Sequence, residues 1–341
     1  MKVLYAIQAT GNGHLSRAKE IVPVLENRVN VDLLVSGTQG DIELPHDIKY
    51  SYKGFSFIFG NKGGVDIFAT IKKAKIFRVI KEIRSCPVSD YDLVINDFEP
   101  ISAWACKLRG VNCISLSHQS ALLSKKVPQP KNKSSFNRFI LKYYAPSIQS
   151  FGFHFKRYDS SIYLPIIRQA IRRMTVVEEN HYTVYLPAYK ESKICAILNM
   201  IPEVNWHVFS KKCKQSYRQK NVSIFPITAQ KFEKSIASCK GVICGAGFET
   251  PAEAMFLKKK LLVIPMKGQF EQHYNAAGLR DCGVPSIKSL KKKYLPEIKN
   301  WVETASDVEV DYPDTTVQIV DAVLSKYIIA NELSQQLLHE I

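Results

Sequence analysis

The chain has 341 residues, with 47 lysines and arginines against 31 aspartates and glutamates, which gives a formal net charge of +16. This length favours two α/β domains over one core, and the charge favours anionic partners, although a merely soluble basic protein is not excluded. The N-terminus lacks the layout of a signal peptide and no apolar run reaches the ~20 residues that span a bilayer, so we expect a cytoplasmic protein, peripheral at most to the inner face of the membrane.

The cysteines are scattered, and none form a C-x-x-C pair. Several lie in apolar runs, which is typical of reduced, buried thiols and argues against a disulfide framework or a zinc site. The acidic stretch DYD at residues 90–92 precedes its strand, whereas a metal-binding acidic motif would follow one. We therefore predict no metal ligands.

Short apolar runs alternate with helical patterns, which predicts doubly wound parallel sheets. The strands expected in the first half are KVLYAI, VDLLVS, YDLVIND and NCISLS. After the first of these, helical spacing of apolar residues predicts a helix that buries Leu15, Ala18, Val22 and Leu25. The rhythm breaks between residues 119 and 173, where prolines, the alternation FGFHF and the basic stretch RQAIRRM occur.

A second series of expected strands comprises HYTVYLP, WHVFS, VSIFPI, GVICGAG and LLVIPM, and the chain ends in a long amphipathic helix. We place the junction near residues 168–180 and the two domains at 1–172 and 173–341, with the terminal helix free to pack back on the first domain. Two such domains face each other across a cleft. Ligands of open α/β sheets bind beyond the carboxyl ends of the strands, so the residues that follow each strand are the candidates for a site.

The first strand is followed by GNGHLSR, residues 11–17. Gly11 and Gly13 allow a sharp turn and a close approach of the backbone to a ligand. His14 comes at the start of the next helix, where free amides suit an anion and a neutral imidazole can accept a proton from a hydroxyl. A tight turn with an incidental histidine explains the spacing equally well.

Acidic and polar residues follow two further strands of the first half. Asp97 could orient His14 as a base, and Glu99 could face the acceptor side. The alternative for either acid is a cap for the helix that follows. His118 and Gln119 could also line the acceptor side, although a loop histidine is more often polar surface.

The most informative segment lies between residues 241 and 283. A strand ends there in Gly245-Ala246-Gly247, ahead of a helix that begins near Thr250 or Pro251, and this combination forms a cradle for phosphate. Glu253, about one turn into the helix, is placed to accept both hydroxyls of a ribose. Three residues after the next strand suit sugar hydroxyls: Gln269, Glu271 and Gln272. A turn, a solvated helix or a polar loop explains each feature singly, but not their joint spacing.

At this segment the chain resembles the nucleotide-sugar glycosyltransferases of the GT-B fold. These include the UDP-sugar transferases of plants and antibiotic pathways, and the bacterial transferase that adds N-acetylglucosamine to the lipid-linked peptidoglycan precursor. Their shared pattern is read here as Gly247, Thr250, Glu253, Glu271-Gln272 and Asn275-Ala276. The match covers roughly residues 220 to 285 well and the first 20 residues moderately.

The resemblance implies a GT-B fold with two Rossmann-like domains and a UDP-sugar as co-substrate, with no other cofactor. It makes His14 the catalytic base and Asp97 its partner, with the diphosphate on the glycine segment, the ribose on Glu253 and the uracil near Ile227. The donor-binding residues expected from it are Gly11, Gly13, Ile227, Gly245, Ala246, Gly247, Phe248, Glu249, Thr250, Glu253, Gln269, Glu271 and Gln272.

Three departures from the family pattern leave the donor identity open. Gly245 stands where plant-type members have a histidine that donates to the diphosphate. The loop LPAYKES lacks the glycines of the bacterial relative. Glu249 replaces a neutral amide of plant-type members, which adds a carboxylate beside the expected phosphates.

The leading hypothesis is an inverting, metal-independent sugar transfer to an unknown hydroxyl acceptor, with lipid-linked compounds and polysaccharides of the cell envelope as candidates. A nucleotide-sugar hydrolase on the same fold is the alternative, because such hydrolases also have a Gly-x-Gly-His-x-x-Arg stretch near their start. A 2-epimerase is a weaker option, since its acidic residues have no assignment here.

The non-enzyme alternative is a basic protein that binds glycan or nucleic acid. No nucleic-acid motif accompanies the charge, so we expect no nucleic-acid partner. Residues 69–84 form a predicted basic amphipathic helix that suits an anionic membrane or an acceptor, or else is an ordinary solvated face. Its basic residues are Lys72, Lys73, Lys75, Arg78, Lys81 and Arg84.

Overall fold

The computed structural model describes residues 1–37, 44–55, 76–131 and 135–339, with side chains up to residue 329. Its strands are Lys2–Gln8 (β1), Asn30–Ser36 (β2), Ile48–Tyr52 (β3), Leu93–Asp97 (β4), Cys113–Ser117 (β5), Gln149–Phe153 (β6), Ile162–Tyr163 (β7), Tyr182–Tyr185 (β8), Trp206–Ser210 (β9), Tyr217–Gln219 (β10), Val222–Pro226 (β11), Gly241–Cys244 (β12) and Lys260–Val263 (β13). Its helices are Asn12–Glu26 (α1), Ile76–Ser85 (α2), Pro100–Arg109 (α3), His118–Ala121 (α4), Ser135–Tyr144 (α5), Gln169–Arg172 (α6), Glu191–Leu198 (α7), Ala229–Ser238 (α8), Glu249–Phe256 (α9), Phe270–Asp281 (α10), Leu295–Thr304 (α11) and Thr316–His339 (α12).

The described strands form two sheets. The first has the order β3-β2-β1-β4-β5-β6-β7 and is parallel throughout. The second has the order β10-β11-β9-β8-β12-β13 and is parallel except for the β10–β11 pair. The strand order reverses between β1 and β4 in one sheet and between β8 and β12 in the other, which are the points where ligands bind such sheets. The expected α/β architecture of two Rossmann-like domains is confirmed.

Every strand expected from the sequence is present, and β3, β6, β7 and β10 are additional. The region between residues 119 and 173 does not end the first sheet, because part of FGFHF forms β6 and extends the sheet beyond β5. The first sheet ends at Tyr163 and the second begins at Tyr182. The boundary at residue 172 lies within the connection between them and stays a prediction.

The terminal helix α12 lies against α1 of the first domain. Arg28, two residues after the end of α1, donates from Nε to Oδ1 of Asp321 on α12, at 2.9 Å. The apolar residues of both helices belong to one buried cluster, with Leu15, Ala18, Ile21, Val22 and Leu25 from α1 and Ile319, Val320, Val323 and Leu324 from α12.

Two other sequence expectations concern the surface and the cysteines. Lys72, Lys73 and Lys75 of the basic segment lie outside the described residues. The helix α2 covers the remainder of the segment, and its Phe77 is 88% exposed.

All eight cysteines are described; they are unpaired, and seven are buried. None of the helices in the described ranges is long and apolar enough to cross a membrane.

Candidate active site in the interdomain cleft

The loop after β1 brings the two domains into contact. Gly11 caps α1 in an extended conformation, and a Cβ atom added there would touch nothing within 4 Å. A Cβ atom on Gly13 would lie 2.5 Å from Oε2 of Glu249 on α9. Glycine at position 13 therefore gives room to the carboxylate of Glu249 from the second domain, and a larger residue would displace that carboxylate.

His14 is held by the carboxylate of Asp97. Asp97 ends β4 directly beside Ile7 of β1, and its Oδ1 lies 2.8 Å from Nδ1 of His14. Burial alone would raise the pKa of Asp97, but the charges of Arg17 and His14 and their hydrogen bonds lower it below its usual value. An ionised carboxylate only accepts hydrogen bonds, so Nδ1 of His14 carries the proton and Nε2 is the basic nitrogen.

Arg17, one turn further along α1, links two carboxylates, one from each domain. Its Nη2 donates to both oxygens of Asp97 at 2.8 Å, and its Nη1 donates to Oε1 of Glu249 at 2.8 Å. Burial alone would lower the pKa of Arg17, but the two carboxylates raise it, so the guanidinium remains charged. The extra carboxylate that the sequence places beside the phosphate cradle is thus neutralised from the first domain.

Glu99 has the structural role that the sequence allowed for it. It is fully buried and caps α3, accepting from the backbone N–H groups of Ile101 and Ser102 at 2.7 and 2.6 Å. The hydroxyl of Ser36 donates to it as well. The residue between the two acids, Phe98, adopts a left-handed φ of 57°, so that Asp97 points to the cleft and Glu99 to the helix. Glu99 is closed to an acceptor, which corrects that expectation.

His118 is also closed to an acceptor. Its exposure is 1%, and its ring stacks on Phe248 with 4.0 Å between centroids. Nδ1 lies 2.8 Å from the carbonyl of Phe153, and Nε2 lies 2.7 Å from Oδ1 of Asn275 on α10. His118 therefore joins the two domains instead of lining an open surface, because a strand end that faces the cleft meets the other domain there.

Gln119 contacts side chains of both domains, and its expected place on the acceptor side stays a prediction. Its Nε2 lies 3.4 Å from Nε2 of His14 and donates to Oε2 of Glu271 at 3.1 Å. Its Oε1 is buried and has no partner among the described residues. The basic nitrogen of His14 and the expected sugar-binding carboxylate of Glu271 are thus brought together through one amide.

The glycine segment follows β12 at the carboxyl edge of the second sheet. The helix α9 begins at Glu249, one residue before the expected Thr250, and Phe248 is its N-terminal cap. A Cβ atom added to Gly247 would have no neighbour within 4 Å, so the backbone there is open, whereas Ala246 is fully buried. The open backbone at Gly247 and the free amides of α9 are suited to a phosphate.

Glu253 is buried, with 4% exposure, and both of its oxygens are engaged. Arg168 donates to them from Nε at 2.5 Å and from Nη2 at 3.0 Å, and it also pairs with Glu233. A ribose bound to Glu253 would share that carboxylate with Arg168. Sequence reasoning assigned no role to Arg168, although it is the first residue of the basic stretch RQAIRRM, which was the available signal.

The other expected donor residues lie at the ends of neighbouring strands. Gln272 accepts from the backbone N–H of Met266 at 2.9 Å, and the buried Oε1 of Gln269 has no partner within the described ranges. Ile227 follows β11, and its N–H donates to the carbonyl of Ser210. In the part of the chain that the structure describes, no group of three His, Cys, Asp or Glu side chains is placed to hold a metal ion.

Comparison with solved structures shows the same fold at low sequence identity. MurG from Acinetobacter baumannii is similar with a TM-score of 0.61 at 12% identity, over 95% of this chain and 99% of that one. UGT89C1 from Arabidopsis thaliana, in complex with UDP, is similar with a TM-score of 0.53 at 14% identity, over 98% of both chains. The spinosyn rhamnosyltransferase SpnG, in complex with spinosyn aglycone, has a TM-score of 0.55 at 13% identity, over 97% of this chain and 96% of that one.

A comparison with curated protein sequences finds no match. The model of the family described as glycosyl transferase family 1, in contrast, matches residues 1–302. Since this match spans both sheets, the chain belongs to glycosyl transferase family 1 and is a nucleotide-sugar-dependent glycosyltransferase.

Proposed function

We propose that this glycosyltransferase moves a hexose from a UDP-sugar to an acceptor hydroxyl, with inversion and without a metal ion. The observation that carries the proposal is the His14–Asp97 pair, which faces the glycine segment and Glu271 across the cleft. Nε2 of His14 takes the hydroxyl proton as the oxygen bonds to the anomeric carbon. The bond from that carbon to the diphosphate oxygen breaks, and UDP leaves with the electron pair.

Charge stabilisation in this proposal comes from the chain's own groups. The ionised Asp97 stabilises the imidazolium that forms on His14, a contribution typical of general-base catalysis with about 10²–10⁴-fold effects on rate. The amides at the start of α9 stabilise the leaving diphosphate, while Arg17 offsets the negative charge of Glu249 beside it. The amides supply partial positive charge of the kind that a metal ion supplies elsewhere.

The donor site of the proposal combines several strand ends of the second domain. Gly245 to Thr250 contact the diphosphate, Glu253 contacts the ribose, and the backbone near Ile227 contacts the uracil. Gln269, Glu271 and Gln272 contact the sugar. UDP is the nucleotide of this proposal because the structurally similar UGT89C1 is in complex with UDP; the equally similar SpnG is in complex with thymidine diphosphate, so both nucleotides belong in the test. Residues 1–172 and 173–341 are the two domains of this assignment.

A nucleotide-sugar hydrolase requires a cleft that admits water but no acceptor. The contacts between Gln119 and Glu271 and between Arg17 and Glu249 narrow the cleft, which favours this alternative. A cavity that opens beside Gln119 favours transfer, because it offers space for a further substrate. We therefore prefer transfer, at a cytoplasmic location where α2 contacts an acceptor or an anionic membrane.

The test of the donor site is a binding panel with UDP, dTDP and GDP, read by calorimetry and thermal shift. A nucleotide at 100 times its Kd adds about 2.7 kcal/mol to the free energy of unfolding. The variant Glu253→Ala should weaken UDP binding by about 1–3 kcal/mol, while the exposed-site control Glu203→Ala should bind as wild type. Failure of all three nucleotides to bind the folded wild type would refute the donor site.

A further inference from the structure

A cavity of about 510 Å³ lies in the first domain, beside the cleft. Its wall includes Gln119 at the carboxyl end of β5 and residues 110–113 at the opposite end of the strand, with α3 and α5 contributing side chains along the way. Five residues of a strand span roughly 13–17 Å at about 3.3 Å per residue. The volume is within the range of about 300–1,000 Å³ typical of small-molecule sites, and the lining gives it an elongated form.

The inner end of the cavity is lined by Gln119, whose Nε2 lies 3.4 Å from Nε2 of His14, although His14 itself does not line the cavity. Gln119 is 4% exposed, and its unpartnered Oε1 is a buried acceptor that lacks a donor. A buried acceptor without a donor is destabilising, so a ligand that donates to it would gain affinity. Phe98 also lines the cavity, and its left-handed backbone is a strained conformation of the kind that clusters at ligand sites.

The remaining residues of the cavity wall disfavour a positively charged ligand. None of the described lining residues is acidic, and Lys107 and Lys142 line the cavity without an ion pair in the described part of the chain. Apolar side chains alternate with serines along the wall, and Ile148 near the outer end is 71% exposed. The cavity is therefore suited to an apolar body, neutral or anionic, that enters from the surface near Ile148.

We propose that this cavity is the acceptor site and that the acceptor is a hydroxyl-bearing amphiphile with one elongated apolar chain. The chain lies along β5, and the hydroxylated end donates to Oε1 of Gln119 and reaches Nε2 of His14. Gln119 acts as a positioning residue, since its amide also contacts Glu271 on the donor side. That the amphiphile serves as the acceptor rests on the transferase activity proposed above. That the amphiphile binds in this cavity does not depend on that activity.

The test measures binding of octyl, butyl and methyl β-D-glucoside to the full-length protein by calorimetry, below the micellar concentration. Affinity should rise with chain length, by at most about fourfold for each CH₂ group that is buried. The variants Ser147→Trp and Ser150→Trp fill the outer part of the wall and should weaken octyl glucoside at least tenfold. Ser89→Trp is the matched control on an exposed serine outside the wall, and it should bind as wild type.

A third variant tests the inner end of the cavity. Gln119→Leu keeps the approximate size of the side chain but removes Oε1, and it should weaken octyl glucoside about fivefold or more. It also removes the hydrogen bond to Glu271, so the control for UDP binding is Ser147→Trp and Ser150→Trp, which should both bind UDP within twofold of wild type. Equal affinity for all three glucosides, or wild-type affinity in both tryptophan variants, would overturn the site. Amphiphile binding without UDP binding would refute the proposed function alone, and the reverse result would refute the cavity assignment alone.

Discussion

The buried charge cluster around Arg17 gives a prediction about stability that can be worked from the structure. The variant Arg17→Leu keeps the apolar part of the side chain but removes all of its hydrogen bonds to Asp97 and Glu249. Asp97 is fully buried and would keep only His14 as a partner in the cleft. Removal of one member of a buried ion pair typically costs 3–5 kcal/mol, because the other charge stays buried without compensation, so we expect about that loss in the free energy of unfolding.

A double-mutant cycle separates this charge effect from lost packing. Asp97→Asn removes the charge that Arg17→Leu leaves uncompensated, so the double variant should recover about 2 kcal/mol relative to the sum of the single variants. Glu249→Gln is the matched control for the other contact of Arg17. The side chain of Glu249 is 27% exposed, so we expect a loss of only about 1 kcal/mol or less from that substitution.

The assay is urea unfolding followed by circular dichroism at pH 7 and pH 4. The pKa of Asp97 is lowered in the folded wild type, so its stabilising contribution is present above the unfolded value of about 3.9 and is lost as the pH falls through the folded value. In Arg17→Leu, burial without the guanidinium raises the pKa of Asp97. As the pH falls, Asp97 is therefore protonated earlier in the variant than in the wild type, which removes its uncompensated charge. The deficit of Arg17→Leu should therefore shrink at pH 4. Two results together would refute this reasoning: the losses of stability in Arg17→Leu and Asp97→Asn add up in the double variant, and the loss in Arg17→Leu is the same at pH 7 and pH 4.

Three further predictions concern catalysis, the helix cap and the surface. In steady-state kinetics, His14→Ala should reduce turnover about 10²-fold or more and leave UDP binding nearly unchanged. Asp97→Asn should reduce turnover less. Wild-type turnover of His14→Ala would show that the histidine has no catalytic role and belongs only to a structural turn. Glu99→Ala should lower the free energy of unfolding by about 2 kcal/mol in urea titrations, because buried N–H groups lose their acceptor, and a loss no larger than that of the exposed-site control Ser89→Ala would contradict the cap. Binding to anionic vesicles should weaken with salt and with Lys81→Glu, because the Debye length is ~10 Å at 0.1 M, and equal partitioning onto neutral vesicles would exclude an electrostatic contact.

The sequence was sufficient for the architecture because the central strands, such as β1, β4, β5 and β12, are buried on both faces and are mostly apolar. The runs that became β1, β4 and β12 also located His14, Asp97 and the glycine segment, since residues after parallel strands meet at one edge of a sheet. The strand β6 was missed because its first residues, Gln149 and Ser150, are polar and do not extend the apolar part into a recognisable run.

The contacts across the cleft were not predictable in the same way. His118 and Glu99 were both expected on the acceptor side, because a residue that follows a strand is equally able to cap a helix or to meet the other domain. Arg168 and Glu253 are 85 positions apart in the chain. Only the approach of the two domains brings such residues together, and no local pattern encodes that approach.

Four contacts between the first part of the chain and the second end on the segment that was expected to hold the donor. Arg17 reaches Glu249, Gln119 reaches Glu271, His118 reaches Asn275 and Arg168 reaches Glu253. The three carboxylates among these contacts, Glu249, Glu253 and Glu271, are therefore each bound by a group from outside the second sheet. A UDP-sugar that binds there has to compete with, or share, these partners. The affinity of the second domain for a nucleotide should thus depend on how the first domain approaches it, and substitutions in the first domain such as Arg17→Leu should change nucleotide affinity without touching the nucleotide's own cradle.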